Sequence, residues 1–326
     1  YGKIVIAKTF LISHFFYIMQ SIGLPDNILH NINRALYSFL WKKKHNNKKA
    51  FEKVKRKVLA QEIEKGGLGM IDMKLLQEAL YLGWVPRLLD KSTDKQTWKT
   101  YPISIYTKLG LNLDIFNTPC LPQDLLGLPR HTGDFWSNVL RAWLKLRSKY
   151  NEIEDDLHQL NINSALWNNN NFQFKNKNLH FKEWIEAGMH KIKDILNERK
   201  EMIPFADLLN ILPAAPQRIF EYNAVRTAFE QACKHNRLDL YNRLETGLQH
   251  MTIQGKLVVT LGVKDFRHLL TEEVQPCAVN FWKHKLNADI NKAHWESVFK
   301  STKETRLRVL HWKVIHNIYP TNILLH

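Results

Sequence analysis

Cysteine is scarce in this sequence, which contains only Cys120, Cys233 and Cys277 in 326 residues. No two of them are close together, so the Cys-x-x-Cys spacing of a local zinc knuckle is absent. The same scarcity argues against the disulfide framework of a small secreted protein. We therefore expect a protein of a reducing, intracellular compartment.

Common catalytic motifs are also missing. The chain has no Gly-x-Ser-x-Gly, no His-Glu-x-x-His and no Asp-Asp pair in an apolar strand. Two-metal phosphoryl transfer needs clustered carboxylates on rigid elements, whereas the acidic runs 154–156 and 272–273 are typical of solvated faces or helix starts. His311 and His316 are five residues apart, which puts them on different faces of a helix. We expect no catalytic residue, metal site or cofactor within this chain.

Acidic residues are the third shortage. There are 31 of them against 47 lysines and arginines, for a formal charge of +16 and a pI near 9.6. Residues 1–100 alone hold 18 basic residues and 8 acidic ones. Such an excess favours a polyanionic partner, most often nucleic acid, over the alternative of a merely basic soluble protein.

The strongest local feature is a basic run at residues 42–57, with nine lysines and arginines and a single glutamate. Trp41 and Phe51 border or interrupt it and offer stacking surfaces for bases. Binding to phosphates through released counterions is one interpretation; a solvated loop or a nuclear-import signal is the other. The glycines of 66–69 lack the Lys-Ser/Thr of a P-loop and predict a tight turn.

Hydrophobic spacing predicts a mostly α fold. Ile4 to Gln20 is apolar nearly all round, which is typical of a buried core helix. The stretch carries Lys8 and is too short and interrupted to span a bilayer comfortably. After Gly23-Leu-Pro25, Asp26 begins a second helix. In it, four residues at three-to-four spacing are expected to form one buried stripe: Ile28, Ile32, Leu36 and Phe39.

Further helices are predicted from Asp72 through Leu89 with a kink near Pro86, over Phe135–Tyr150, and near 181–200 and 216–233. Alternating residues within 161–179 predict a small β-hairpin. The predicted architecture is a multi-part helical array with a thumb-like helical bundle and one or two small β-hairpins. The predicted domains are 1–91, a connector over 92–215, and a C-terminal helical segment over 216–326.

Four blocks of sequence carry a family resemblance. They are Tyr1-Gly-Lys-Ile-Val-Ile-Ala-Lys8; Phe39-Leu-Trp-Lys-Lys with Glu64-Lys-Gly-Gly-Leu-Gly-Met-Ile-Asp72; Leu166-Trp-Asn-Asn with Trp184-Ile-Glu-Ala-Gly-Met; and Phe281-Trp-Lys, Trp295-Glu-Ser-Val-Phe and Arg308-Val-Leu-His-Trp-Lys-Val-Ile-His-Asn-Ile-Tyr-Pro-Thr-Asn. In this order they resemble the polyprotein of LINE-type (non-LTR) retrotransposons, downstream of its reverse-transcriptase active site. Residues 92–160 show no matching motif.

The resemblance implies a thumb that grips template–primer, followed by helical segments that hold RNA. It implies a polymerase core upstream, a zinc knuckle downstream, Mg²⁺ for the full polymerase, and RNA and DNA as partners in cytoplasm and nucleus, without a membrane. Together with the basic run, it assigns nucleic-acid contacts to twelve residues: Lys3, Lys8, Trp41, Lys42, Lys43, Lys44, Lys48, Lys49, Lys53, Lys55, Arg56 and Lys57.

We therefore expect a non-catalytic fragment of a retrotransposon reverse transcriptase, an RNA-directed DNA polymerase, that binds template through a basic surface. The alternative is a stand-alone helical module for protein–protein interaction with no role in nucleic-acid binding.

Overall fold

The computed structural model describes residues 2–41, 52–90, 96–108, 110–116, 118, 135–150, 160–234, 238–240, 251–287 and 289–318. The predicted mostly α fold is confirmed. In chain order the α-helices of this part of the chain are α1 Gly2–Ser21 (with a π-helical stretch at Ala7–Ile12), α2 Asp26–Trp41, α3 Arg56–Ala60, α4 Met73–Leu82, α5 Trp84–Leu89, α6 Thr100–Thr107, α7 Phe135–Arg147, α8 Lys182–Glu186, α9 Phe205–Ile211, α10 Arg218–Lys234, α11 Val263–Leu270, α12 Cys277–Leu286, α13 Lys292–Lys300 and α14 Thr305–Ile315.

Short β-strands form pairs, which are β1 Leu160–Asn161, β2 Gln173–Phe174, β3 Lys177–Asn178, β4 Leu238–Asp239, β5 Thr252–Ile253 and β6 Lys256–Leu257. The pairs β2–β3 and β5–β6 are antiparallel hairpins, and β1–β4 is parallel. The two residues that turn each hairpin have positive φ, Lys175-Asn176 in one and Gln254-Gly255 in the other, as tight hairpins require. The expected small β-hairpins are thus confirmed.

The chain divides into two compact units. Unit 1 comprises Tyr1–Leu80 and Asp265–His326, and unit 2 comprises Tyr81–Lys264. Unit 1 thus contains residues from both the first and the last of the domains predicted from sequence. Segments that are far apart in the chain form one compact unit.

Helix α1 corrects one expectation. Ile4, Ala7, Ile12 and Met19 are buried in unit 1, but the other faces of this helix are exposed. Large apolar side chains with exposed surface are Val5, Ile6, Phe10, Leu11, Phe16, Tyr17 and Ile18. The prediction of a core helix was wrong, since an apolar sequence does not specify how many of its faces are covered. Within the described residues, α1 is the helix with the length and apolar composition of a membrane span, a property that core helices and signal sequences share.

The buried stripe of α2 is only partly as predicted. Leu36 is buried, but Ile28 and Phe39 are each 40% exposed, and Ile32 is half-buried. The buried positions are Leu29, Asn33, Leu36 and Tyr37. The stripe is therefore rotated by about one residue. Asn33 explains part of the rotation, because its side-chain oxygen accepts a hydrogen bond from the Met73 N–H at 2.9 Å and holds the start of α4.

The helix predicted from Asp72 begins as expected. The Asp72 carboxylate accepts hydrogen bonds from the backbone N–H groups of Lys74 and Leu75 at 2.8 and 3.2 Å, which is N-capping geometry. The predicted kink near Pro86 was misplaced: α4 ends at Leu82 and α5 begins at Trp84, so that Gly83 separates them. Pro86 lies in the first turn of α5, where its missing N–H costs nothing.

Unit 2 is built around a core of aromatic and aliphatic side chains centred on Trp167, Phe172 and Trp184. The predicted apolar face of α7 is confirmed, with Trp136, Val139, Leu140, Trp143 and Leu144 buried. The long helix predicted near 181–200 was wrong. Instead α8 covers only Lys182–Glu186, because Gly188 adopts a positive φ and the backbone then forms a bridge from Lys191 to Ala165.

Candidate nucleic-acid interface

The predicted nucleic-acid contacts divide into two groups. Lys42, Lys43, Lys44, Lys48 and Lys49 lie outside the described residues. The structure places the other seven in unit 1: Lys3, Lys8, Trp41, Lys53, Lys55, Arg56 and Lys57. Of these seven, three line one cleft.

The cleft lies in unit 1, at the C-terminal end of α2, and has a volume of about 540 Å³. Its described lining residues are Gly2, Lys3, Leu40, Trp41, Lys53, Leu59, Leu68, Phe299, Thr305, Arg308, Val309, Trp312 and Lys313. Trp41 and Lys53 stand on either side of the undescribed part of the basic run. Both Trp41, which precedes the run, and Lys53, which belongs to its described part, therefore line this cleft.

One wall of the cleft is a single face of α14. Thr305, Arg308, Val309, Trp312 and Lys313 recur at intervals of three and four, so one helical face carries all of them. The face combines two cations with a tryptophan, a composition that suits an anionic partner with flat rings.

A buried contact with Gly66 fixes this wall. The Trp312 indole N–H and the His316 imidazole Nε2 donate hydrogen bonds to the Gly66 carbonyl oxygen at 3.2 and 2.8 Å. The His316 ring lies 4.2 Å from the Trp312 ring and 4.8 Å from the Trp295 ring, measured between centroids. Burial lowers the pKa of His316 below its ordinary value, while the hydrogen bond to Gly66 acts in the opposite direction. A neutral imidazole is therefore part of the support of the cleft.

The glycine segment 66–69 is a tight turn, as predicted. Gly66 has a φ of +83° and ends the 3₁₀ turn Ile63–Lys65. The N–H groups of Gly67 and Gly69 donate to the backbone carbonyls of Glu62 and Gln61 at 3.0 and 2.8 Å. Because these donors already have backbone acceptors, the segment does not cradle phosphate.

The charge of the cleft is one-sided. Its cations are Lys3, Lys53, Arg308 and Lys313, and no carboxylate is present among the described residues that line it. The Lys3 ammonium donates to the carbonyl oxygens of Phe39 and Leu40 at 2.7 and 3.2 Å, which places its charge at the negative end of α2.

The guanidinium of Arg308 already forms one hydrogen bond within the protein. Its Nε donates to the Thr302 carbonyl oxygen at 2.6 Å. Since a guanidinium carries five N–H donors, the terminal amino groups keep the capacity for a two-pronged contact with an anion. Lys313 is half-buried and lies five residues further along, at the other edge of the same wall.

Trp41 is the aromatic group of the cleft with incomplete hydrogen bonding. Its indole Nε1 is buried and has no hydrogen-bond partner in the described part of the protein. A buried donor without an acceptor is costly and unusual in folded proteins.

The remaining predicted residues lie elsewhere. Arg56 forms hydrogen bonds with the Glu52 carboxylate at 2.5 to 3.0 Å and lies over the Tyr37 ring. Lys57 forms an exposed ion pair with Glu272 at 2.6 Å. Lys55 is exposed at the start of α3. The charges of Arg56 and Lys57 are thus already shared with carboxylates.

Lys8 lines a different, smaller cavity of about 330 Å³ together with Glu62 and Glu64. Burial, and secondly the nearby charge of Arg267, lower the pKa of Lys8. Its surroundings thus include acidic side chains, unlike those of Lys3, although both residues belong to α1.

Sequence reasoning missed Arg308, Lys313, Thr305 and Phe299 as contributors to the interface. A signal was present, because Arg308 lies four residues before Trp312 and Lys313 follows it directly. The sequence does not show that this face and the end of α2 line the same cleft, because Arg308 lies 267 positions after Trp41.

The carboxylates of the acidic pair 272–273 form ion pairs with lysines. Glu272 and Glu273 pair with Lys57 and Lys65 respectively. Among the residues that the structure describes, no group of three His, Cys, Asp or Glu side chains is arranged to hold a metal ion.

Comparison with known proteins adds no family to this geometry. Neither a scan against models of protein families nor a search of curated proteins gives a match.

Proposed function

We propose that this chain is a non-catalytic part of a LINE-type reverse transcriptase and binds template RNA or DNA through the basic cleft of unit 1. The observation that carries the proposal is the lining of that cleft, with four cations and no described carboxylate. The four sequence blocks that resemble the family and the formal charge of +16 support it. The polymerase core and zinc knuckle of such a polyprotein are the further proposed partners, and Mg²⁺ belongs to that core.

The physical basis of binding is counterion release. Lysine and arginine side chains that neutralise phosphates free the cations condensed on the nucleic acid, so that affinity falls steeply with salt. Cations already paired with carboxylates contribute less, which favours Lys53, Arg308 and Lys313 over Arg56 and Lys57. The run 42–51 adds five lysines between two residues of the cleft, Trp41 and Lys53.

The proposal is tested by the salt dependence of binding. Replacing Lys42, Lys43, Lys44, Lys48 and Lys49 with alanine removes five charges from the run. For duplex, each lost phosphate contact reduces the slope of log K against log salt by about 0.9. We expect the slope to flatten by several units, with little change in sequence preference, in fluorescence anisotropy titrations.

A matched control removes five exposed lysines from unit 2, namely Lys175, Lys177, Lys182, Lys193 and Lys234. The net charge of the two variants is the same. If both variants lose slope equally, binding depends on total charge and the assignment to unit 1 is wrong.

The exposed apolar face of α1 favours a second candidate, a helical module for protein–protein interaction. Ile6, Phe10 and Tyr17 are 48, 62 and 77% exposed, and exposed apolar surface of this extent is typical of interaction sites. If the wild-type chain fails to bind any nucleic acid at low salt, this candidate becomes the better one.

A further inference from the structure

We propose that the cleft binds one unpaired nucleotide of a single strand, with its phosphate at Arg308 and Lys313 and its base against Trp41. This inference rests on the proposed function and deepens it, because it specifies single-stranded rather than duplex nucleic acid as the ligand of the cleft.

The size of the cleft argues for this ligand. A volume of about 540 Å³ lies within the range of about 300–1,000 Å³ that holds small organic molecules. One nucleotide is such a molecule, whereas two paired strands are not. A duplex can rest on the exposed lysines outside but cannot enter.

The arrangement of charge and aromatic groups argues for a nucleotide rather than a free anion. Arg308 and Lys313 line the cleft on one face of α14, while Trp41 ends α2 and contributes a ring to the same cleft. Arginine matches phosphate geometry through two parallel N–H donors. A tryptophan ring provides a stacking surface for any base.

Trp41 also explains why the base must be unpaired. A base within a duplex has its faces covered by its neighbours and its pairing edge occupied, whereas a single-stranded base can stack on an aromatic side chain and use its edge for hydrogen bonds.

The test compares two charge-matched double variants of the full chain. R308Q/K313Q removes two cations from the cleft, and R306Q/K303Q removes two exposed cations next to it that do not line it. The probes are fluorescein-labelled oligo(dT), oligo(U) and a blunt duplex of equal length, and the readout is anisotropy at about 0.1 M salt. The two single strands distinguish DNA from RNA as the source of the nucleotide.

For single strands, counterion release contributes about 0.7 log units of affinity per phosphate contact at about 0.1 M salt, so losing the one phosphate contact that Arg308 and Lys313 share weakens binding roughly fivefold. We expect R308Q/K313Q to lose about this factor for at least one single strand. For the duplex, R308Q/K313Q should lose no more affinity than R306Q/K303Q does. Because Arg308 also donates to the Thr302 carbonyl oxygen, K313Q alone serves as a second variant that leaves this hydrogen bond in place. It should lose a smaller factor than the double variant for the same single strand.

Trp41 supplies an independent arm. W41F keeps an aromatic face and removes the N–H, whereas W41A removes both. Loss of the stacking surface should weaken single-strand binding roughly 5- to 150-fold in W41A, and W41F should lie between W41A and wild type. Circular dichroism and the thermal unfolding midpoint establish that each variant is folded.

The outcomes separate the two proposals. Equal losses for single strands and duplex, or equal losses in the two double variants, would overturn the cleft as a single-strand site while the general nucleic-acid role stands. Wild-type binding to the duplex alone would overturn it as well. Failure of the wild-type chain to bind any probe at low salt would overturn the proposed function itself.

Discussion

Replacing Gly67 with alanine tests whether the tight turn supports unit 1. A Cβ at this position would lie 2.0 Å from the Gln61 carbonyl oxygen and 2.7 Å from the Val58 carbonyl oxygen. Both are backbone atoms, so only a movement of the chain relieves the overlap. The Gln61 oxygen also accepts the hydrogen bond from Gly69 N–H at 2.8 Å, and that movement breaks it.

The expected cost follows from these two effects. Overpacking a tight site costs about 1–3 kcal/mol, and leaving a buried backbone group without its partner costs about 1–3 kcal/mol. We expect the free energy of unfolding to fall by about 2–6 kcal/mol, a large part of the roughly 5–15 kcal/mol that stabilises a typical domain. Single-strand binding should fall with it, since the same turn carries the Gly66 carbonyl that holds α14.

Urea denaturation followed by tryptophan fluorescence measures this cost. Gly2→Ala is the control, because a Cβ there meets nothing within 4 Å; its effect should stay within about 0.5 kcal/mol. If Gly67→Ala unfolds at the wild-type urea concentration, then the geometry of the turn is wrong.

Three further predictions concern stability. Burial lowers the pKa of His316 from its ordinary 6.5, so the unfolded chain binds the proton first as the pH falls. The contribution of His316 to stability should therefore be complete above about pH 6.5 and decline below it. Thermal melts of His316→Gln should show a weaker decline. Arg218 donates to Glu221 at 2.5 Å, and the two side chains are only 3 and 12% exposed, so Arg218→Met should destabilise unit 2 by about 3–5 kcal/mol in a urea titration; an effect below about 1 kcal/mol would contradict this pairing. Lys57→Ala breaks only an exposed ion pair with Glu272 and should change the unfolding free energy by about 0–1 kcal/mol, which calorimetry can check.

Exposure of α1 shows a limit of sequence patterns. An apolar segment predicts that a helix prefers an apolar environment, and α1 does form a helix over Gly2–Ser21. Hydropathy does not state how much of the surface of α1 the rest of unit 1 covers. In the structure only one face of α1 is buried. The same reasoning applies to α2, where the polar Asn33 occupies a buried position because it has a specific partner in the Met73 N–H.

The sequence by itself determined the local features of this protein. The helical pattern predicted the mostly α fold, Asp72 predicted a helix start, the alternating stretch near 161–179 predicted a hairpin, and the glycines of 66–69 predicted a turn. Each of these depends on the preferences of a few consecutive residues, which short-range sterics and backbone hydrogen bonds decide.

Only the tertiary structure decided which distant segments form the cleft. Arg308, Trp312 and Lys313 lie on one wall, while Lys3 and Trp41 come from the beginning of the chain. Two hydrogen bonds to the Gly66 carbonyl hold that wall. Such contacts join residues about 250 positions apart, and they depend on the packing of the whole of unit 1. The sequence therefore predicted a basic surface, and the fold decided which of its charges share a cavity and which are paired with carboxylates.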